Sequence, residues 1–356
     1  MGGNAISNTL RLKRSEYESY EQELITLLGD FLKTPFAPLQ FYSDKASFGD
    51  IDFVVAQPKP DRGDLALFFQ QIGSREQYFN GDMLSFEYKN FQVDLNFVAP
   101  ENYETALFYF AYNDLNNLIG RIAHKFGLKF GFDGLCYQIR TESGYRAKKI
   151  TLSKDPAAIY TFLGYDYSRF LQGFKDREAI FEFVASSRYF NSAIFELDEL
   201  NHINRTRNKK RQTYQLFLQW LTGKTFNEFR FEEDKSIYLI RIHNHFYAPN
   251  SPSQGGSAKV SGGVDLLGEL ATYAEEHRKH EFAKALFNGG QLMKTYGLSG
   301  SALGKVMADF KQDFCAACGQ ADFEQAVFEI YATAPSPEAA MAERFKQWYQ
   351  QASNQA

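Results

Sequence analysis

Asp50 and Asp52 stand two apart in the stretch Ser47–Val55, SFGDIDFVV. Side chains alternate along a strand, so Ile51, Phe53 and Val55 take one face and the two aspartates take the other. The stretch FQVDLNFV repeats the pattern, with Phe91, Val93, Leu95 and Phe97 on the apolar face and Gln92, Asp94 and Asn96 opposite. If the two strands are neighbours, Asp50, Asp52 and Asp94 converge. Carboxylates that close raise one another's pKa and cost stability. A divalent cation removes that cost. Two such ions about 3.5–4 Å apart clamp the attacking and leaving oxygens of an in-line phosphoryl displacement. Mg²⁺ accepts a few carboxylates together with phosphate oxygens and water, so three aspartates suit it, with Mn²⁺ as a substitute. A wet sheet face with scattered acids is the competing explanation; the apolar strand and the third acid on a later strand argue against it.

The elements that must position these residues can be read from periodicity. RSEYESYEQELITLLGDFL places Tyr17, Tyr20, Leu24, Leu27 and Leu28 at helical spacing. The strand Ile51–Val55 follows, then a short helix DLALFFQQIG closed by Gly73. MLSFEYKNFQVDLNFV reads as a β-hairpin turning at Lys89-Asn90, without the glycine such turns prefer. LNNLIGRIAHKFGL is helical, and GLCYQIR with RAKKITL suggests a second strand pair. Beyond DPAAIYTFLGYD the chain turns mostly helical. SIYLIRIHNHFYA fits either a strand or a helix end. APNSPSQGGSAKVSGG reads as a flexible loop, 248–263. The order predicts an α+β fold, a small mixed sheet with helices, followed by a mostly α-helical C-terminal region. The expected divisions are a catalytic core over 1–105, an extension over 106–185 and a helical domain over 186–356.

Bulk composition narrows the class. The 356 residues are 44% hydrophobic and include 35 Phe and 21 Tyr, enough for a large core. No apolar run reaches the roughly 18 residues of a membrane span, and MGGNAISNTLRLKRSEY has no apolar leader. Ile6 stands where myristoylation needs Ser or Thr. Three cysteines make no disulfide framework. A cytoplasmic protein with no membrane partner is expected. The net charge of −4 excludes a wholly basic nucleic-acid wrapper but permits local basic patches. No Walker loop and no nucleophile elbow is present.

The aspartate pattern resembles the DNA polymerase beta-like nucleotidyltransferase superfamily, which carries a glycine turn, an Asp-x-Asp strand and a third carboxylate on a later strand. Asp50, Asp52 and Asp94 match those carboxylates. The resemblance implies that Gly2-Gly3, in MGGNA, holds the β- and γ-phosphates, with Ser47 and Gly49 as the alternative turn. MGGNAI, KASFGDIDFVV, DLNNLIGRIAHKFGL, FLGYDYSRFLQGF, AIFEFVASSRYF and RTRNKKRQTY together are similar to uncharacterised nucleotidyltransferase-like proteins of microbes, fungi and phages, over most of the first 220 residues. GLSGSALGKVMADF resembles a C-terminal segment of CCA-adding tRNA nucleotidyltransferases, in which Gly300, Gly304 and Lys305 would suit a phosphate.

The resemblance implies transfer of NMP from an NTP, ATP or CTP in preference, to a hydroxyl, with pyrophosphate leaving. An RNA 3′ end, tRNA-like, is the expected acceptor. A protein or small-molecule hydroxyl, or a catalytically silent nucleotide- or RNA-binding module, is the alternative. Other groups are candidates on their spacing. Asp114, Asn117 and Arg121 follow the third aspartate on one helix and would face the nucleotide. Arg205, Arg207, Lys209, Lys210 and Arg211 crowd one stretch, dense enough to neutralise several phosphates, with Tyr214 placed to stack a base. His243 and His245 share a face if their segment is a strand, but lack a third ligand. Cys315 and Cys318 form a lone C-x-x-C, too few ligands for zinc.

Overall fold

The computed structural model describes residues 5–140, 146–247 and 265–355. The expected Gly2-Gly3 turn and the loop 248–263 lie outside the described residues. A two-residue strand β1 (Leu12–Lys13) runs into α1 (Arg14–Leu32), which turns Tyr17, Leu24, Leu28 and Leu32 inward and ends at Lys33 in the left-handed region. Next come β2 (Phe36–Pro38), β3 (Ser47–Phe48) and β4 (Asp50–Val55). The helix α2 (Arg62–Ile72) starts on an Asp61 cap that accepts from Gly63 and Asp64 N–H and stops at Gly73, φ 68°. β5 (Gln77–Asn80), β6 (Met83–Tyr88) and β7 (Phe91–Phe97) complete the sheet.

The five-stranded order is β2-β4-β7-β6-β5. Only β4 and β7 run parallel; the other pairs are antiparallel. One face packs Ile51, Phe53, Val55, Leu84, Phe86, Val93 and Leu95 against α1 and α2. On the other, Val54, Val98 and Ala106 form a small cluster at one end of β4, where α3 (Tyr103–Phe110) covers the sheet. The remainder of that face carries the polar side chains.

The β6–β7 hairpin turns on Lys89 (φ 49°) and Asn90 (φ 63°), both left-handed. Asn90 N–H donates to the Glu87 carboxylate, which holds the turn without a glycine. After α3 come α4 (Leu115–Lys125) and a three-stranded antiparallel sheet, β8 (Leu128–Gly131), β9 (Gly134–Arg140) and β10 (Arg146–Ser153). Gly134 is required there. Its φ is 106°, and a Cβ would lie 2.4 Å from the Ser153 carbonyl oxygen. The helices α5 (Pro156–Phe162), α6 (Tyr167–Leu171), α7 (Arg177–Ala185), α8 (His202–Lys209), α9 (Gln212–Leu221) and α10 (Leu239–Tyr247) follow. The ambiguous SIYLIRIHNHFYA is thus a 3₁₀ turn, Lys235–Tyr238, leading into a helix.

The chain is mixed α+β with a helical C-terminal region. It divides into two compact units, Met1–Leu266 and Leu267–Ala356. The boundary expected after residue 185 falls inside the first unit, because aromatic packing crosses it. Phe181 meets Phe217 at 5.2 Å between ring centroids, and Phe162 meets Phe246 at 5.3 Å. The second unit comprises nearly all of α11 (Leu266–Leu286), with α12 (Gly289–Tyr296), α13 (Gly300–Cys318), α14 (Phe323–Tyr331) and α15 (Pro337–Gln355), around its own core of Phe287, Phe310, Phe314 and Phe345. Among the described residues no helix is long and apolar enough to cross a membrane.

Candidate active site

The parallel register of β4 and β7 sets Asp52 beside Asp94 and Asp50 beside Gln92. Asp50, Asp52 and Asp94 each present a carboxylate oxygen within 4.8 Å of the others. Asp94 is 6% exposed. The Gln92 amide donates to both of its oxygens, at 3.0 and 2.9 Å. Burial and the charge of Asp50 nevertheless push its carboxyl up to about 6, against the pull of Ser85 and Gln92. Ser85 faces Asp94 across the β6–β7 ladder. Its Oγ lies close enough to favour the anion but forms no well-aligned hydrogen bond, and it is buried. Asp52 is raised well above the ordinary range by burial, then by Asp50 and Asp94; Lys45 and Asn96 oppose this.

Gln92 also ties the N-terminal segment to the triad. Its Oε1 accepts from the N–H groups of Ala5 and Ile6, at 2.9 and 3.1 Å. Ser7 adds two bonds to the Glu76 carboxylate, at 3.0 and 2.8 Å. Ala5 and Ile6 therefore sit one side chain away from Asp94.

A cleft of about 220 Å³ opens over Asp50 and Asp52. On one side stand Tyr17, Phe41 and Lys45. Arg14 donates to the carbonyls of Ser43 and Lys45, the latter at 2.9 Å, and so fixes the loop that carries Lys45. Lys45 Nζ lies 4.6 Å from the Phe48 ring centroid. Burial lowers its pKa, although Asp50 and Asp52 favour the charged form. Tyr17 stacks on Phe48 at 4.0 Å, and its phenol is raised by burial, by Glu21 and by both aspartates. The opposite wall comes from Tyr109, Asn113, Asp114, Asn117, Arg207 and Arg211. Asn117 Nδ2 is buried there with no hydrogen-bond partner.

The expected residues thus have different fates. The structure gathers Asp50, Asp52, Asp114, Asn117, Arg207 and Arg211 around one cleft and places Asp94 within the carboxylate group. Arg211 forms an ion pair with Asp114, so each neutralises the other. Arg121 is a correction. It is buried, and its Nε and Nη2 donate to the Ile194 carbonyl at 3.3 and 3.2 Å, which removes it from this cleft. Arg205 is another: it donates to the carbonyls of Leu197, Asp198 and Leu200 and so holds a turn. Tyr214 is fully buried, its hydroxyl on the Phe195 carbonyl, and stacks no base. Ser47 and Gly49 do not line the cleft. The Ser47 hydroxyl accepts from Arg11, and Gly49 is buried between β3 and β4.

Lys209 and Lys210 are exposed at the end of α8. Lys305 lies in the second unit, paired at 2.7 Å with Asp309 of its own helix. His243 and His245 are two apart on a helix, so they do not share a face. His243 lies 3.0 Å from Asp265, and His245 contacts the Ala158 carbonyl. Cys315 and Cys318 are free thiols within α13. Lys45, Tyr17, Tyr109 and Asn113 were not expected at the cleft. Lys45 stands five residues before Asp50, and nothing in its spacing reports the Arg14 contacts that place it.

No family model and no curated protein matches the chain.

Proposed function

We propose that the cleft transfers NMP from an NTP to a hydroxyl acceptor and releases pyrophosphate, with an RNA 3′ end as the acceptor. The observation that carries this reading is the carboxylate triad, within 4.8 Å and built from adjacent parallel strands. Three carboxylates this close disfavour one another's ionisation unless a positive charge compensates them. The donor set fits Mg²⁺: hard oxygens only, few in number, open on one side to phosphate and water. Burial first, and the neighbouring carboxylates after it, raise Asp52 and Asp94, and a bound cation would oppose both.

Asp50 and Asp52 would hold two ions and Asp94 the one nearer the acceptor. Bound there, the ions would supply Lewis-acid polarisation of the phosphoryl group and charge neutralisation of the departing pyrophosphate. The chain's own residues account for the rest. Asp94, held by two bonds from Gln92, would take the acceptor hydroxyl's proton as its oxygen bonds to the α-phosphorus and the bond to pyrophosphate breaks. Lys45 and Arg207 bring positive charge to the phosphates. The unpartnered Asn117 amide offers a donor to the base or ribose of ATP or CTP. Gly2-Gly3 would cradle the β- and γ-phosphates, consistent with the docking of Ala5 and Ile6 beside Asp94.

The test is incubation with each α-³²P-labelled NTP, Mg²⁺ and total RNA or total protein. Label should enter RNA and vanish with Asp94→Asn, while that variant keeps its fold by circular dichroism. Undiminished labelling by Asp94→Asn would overturn the mechanism, and label in protein alone would overturn the acceptor.

A further inference from the structure

A second cleft, of about 790 Å³, opens beside the first and shares Tyr109, Asn117 and Arg207 with it. Its walls come from α4, the β8–β9 hairpin, α8 and the 3₁₀ turn at Lys235. Arg121, His124, Lys129, Arg140, Arg207 and Lys235 line it, and no carboxylate does among the described residues. Arg121 and Arg140 have hydrogen-bonded partners, at the Ile194 carbonyl and Gln138. Lys129, Arg207 and Lys235 form no ion pair with another described residue.

In a chain with more acids than bases, 43 against 39, this segregation of charge needs a cause. Lys235 is pushed down by burial and then by Lys125, Arg121 and Arg140. The His124 imidazole falls to about 4 through burial and the charges of Lys235, Arg121, Lys125 and Arg140. A cleft that works against its own charges is one that an anion stabilises.

Two further atoms indicate what else the ligand offers. Asn208 is 3% exposed, and its Oδ1 has no hydrogen-bond partner. Asn117 Nδ2, at the junction of the clefts, is also unpartnered. The Asn208 amide oxygen suits the edge of an unpaired base, and the Asn117 amide marks where this cleft meets the nucleotide's. Tyr137 and Tyr109 also line this cleft, and aromatic side chains are what unpaired bases stack on. A duplex buries the pairing edges of its bases, whereas a single strand presents phosphates, faces and edges together.

We propose that this second cleft binds the single-stranded 3′ segment of the RNA acceptor and feeds its terminal hydroxyl past Arg207 and Asn117 to the triad. The inference rests on the acceptor reading above and moves the strand's path from the exposed lysines of α8 into the cleft.

The experiment measures fluorescence anisotropy of a labelled single-stranded RNA of about 12 nucleotides, within the usual site sizes. The full chain is titrated across a range of salt. Lys129→Ala/Lys235→Ala should weaken binding at least about tenfold. It should also reduce the slope of log affinity against log salt by about 1.4, near 0.7 for each phosphate the two lysines no longer neutralise. Affinity for Mg²⁺-ATP should stay within about twofold. Lys129→Arg/Lys235→Arg should restore RNA binding, which separates missing charge from a damaged fold. Unchanged affinity and slope in the alanine variant would overturn the proposal. So would an equal loss of Mg²⁺-ATP affinity, which would assign the cleft to the triphosphate. Duplex RNA binding as well as single-stranded RNA, or polyglutamate displacing the RNA at matched charge, would overturn it too. The readout is independent of catalysis. RNA binding by the parent protein, when that protein transfers no label from any NTP, would sink the proposed reaction and leave this site standing.

Discussion

Asp94 is held between opposing influences, and the balance sets a pH dependence. Gln92 favours the carboxylate, while burial and Asp50 oppose it and prevail, leaving the group at about 6. An unfolded aspartate titrates near 3.9. Between those values the folded protein binds more protons than the unfolded chain, so stability falls as pH rises. The contribution is complete below about pH 4 and is lost as pH passes through about 6. The metal-free protein should therefore melt at a lower temperature above that window, by the equivalent of about 3 kcal/mol. Asp94→Asn should flatten most of that fall, and Mg²⁺ should reverse it in the parent but not in the variant. Thermal melts with and without EDTA across the pH range measure both. A fall of equal size in Asp94→Asn would transfer the effect to another raised carboxyl, Asp52 or Glu21.

At the scale of elements, β7 does more than carry an aspartate. Gln92 bridges it to the N-terminal segment, accepting from Ala5 and Ile6 while donating to Asp94. Gln92→Leu keeps the bulk and removes all of these bonds. Removing two N–H bonds worth about 1 kcal/mol each predicts amide exchange of residues 5–6 about ten- to thirtyfold faster. Exchange at the parent rate, read by mass spectrometry, would mean that Ser7 and Glu76 alone hold the segment. Strands are also where the sequence spoke most clearly. Alternation is local, so it assigned Asp50, Asp52 and Asp94 to one face without knowledge of the fold. It could not assign the guanidinium groups. Arg205, Arg207 and Arg211 look alike in RTRNKKR, yet one holds a turn, one meets Asp114 and one stays unpaired. The Asp114 carboxylate lies 97 residues from Arg211, and charge density carries no record of it or of the carbonyls that Arg205 meets. The same holds for Lys45, which depends on Arg14 and on the two-residue strand β3, too short for any period to reveal.

At the scale of the whole molecule, the unit boundary was illegible for a related reason. Phe and Tyr are spread along the entire chain, so composition does not change where one core ends and another begins. Aromatic contacts such as Phe181 with Phe217 join segments that look separable in sequence. The loop-like run before Leu266 was the better signal, because glycine, serine and proline cannot contribute to a core. The second unit has its own, in which Phe310 is 1% exposed and meets Phe287, Phe314, Phe345 and Trp348. Phe310→Ala deletes a ring from a packed interior, a change that costs about 3–5 kcal/mol. The cost should fall on one unit only. Calorimetry should show a transition that moves down in Phe310→Ala and is indifferent to Mg²⁺, and another that Mg²⁺ raises and Phe310→Ala leaves in place. If the substitution instead lowers the Mg²⁺-sensitive transition by the same amount, the two cores unfold as one, and the helical unit is a structural part of the site's own fold.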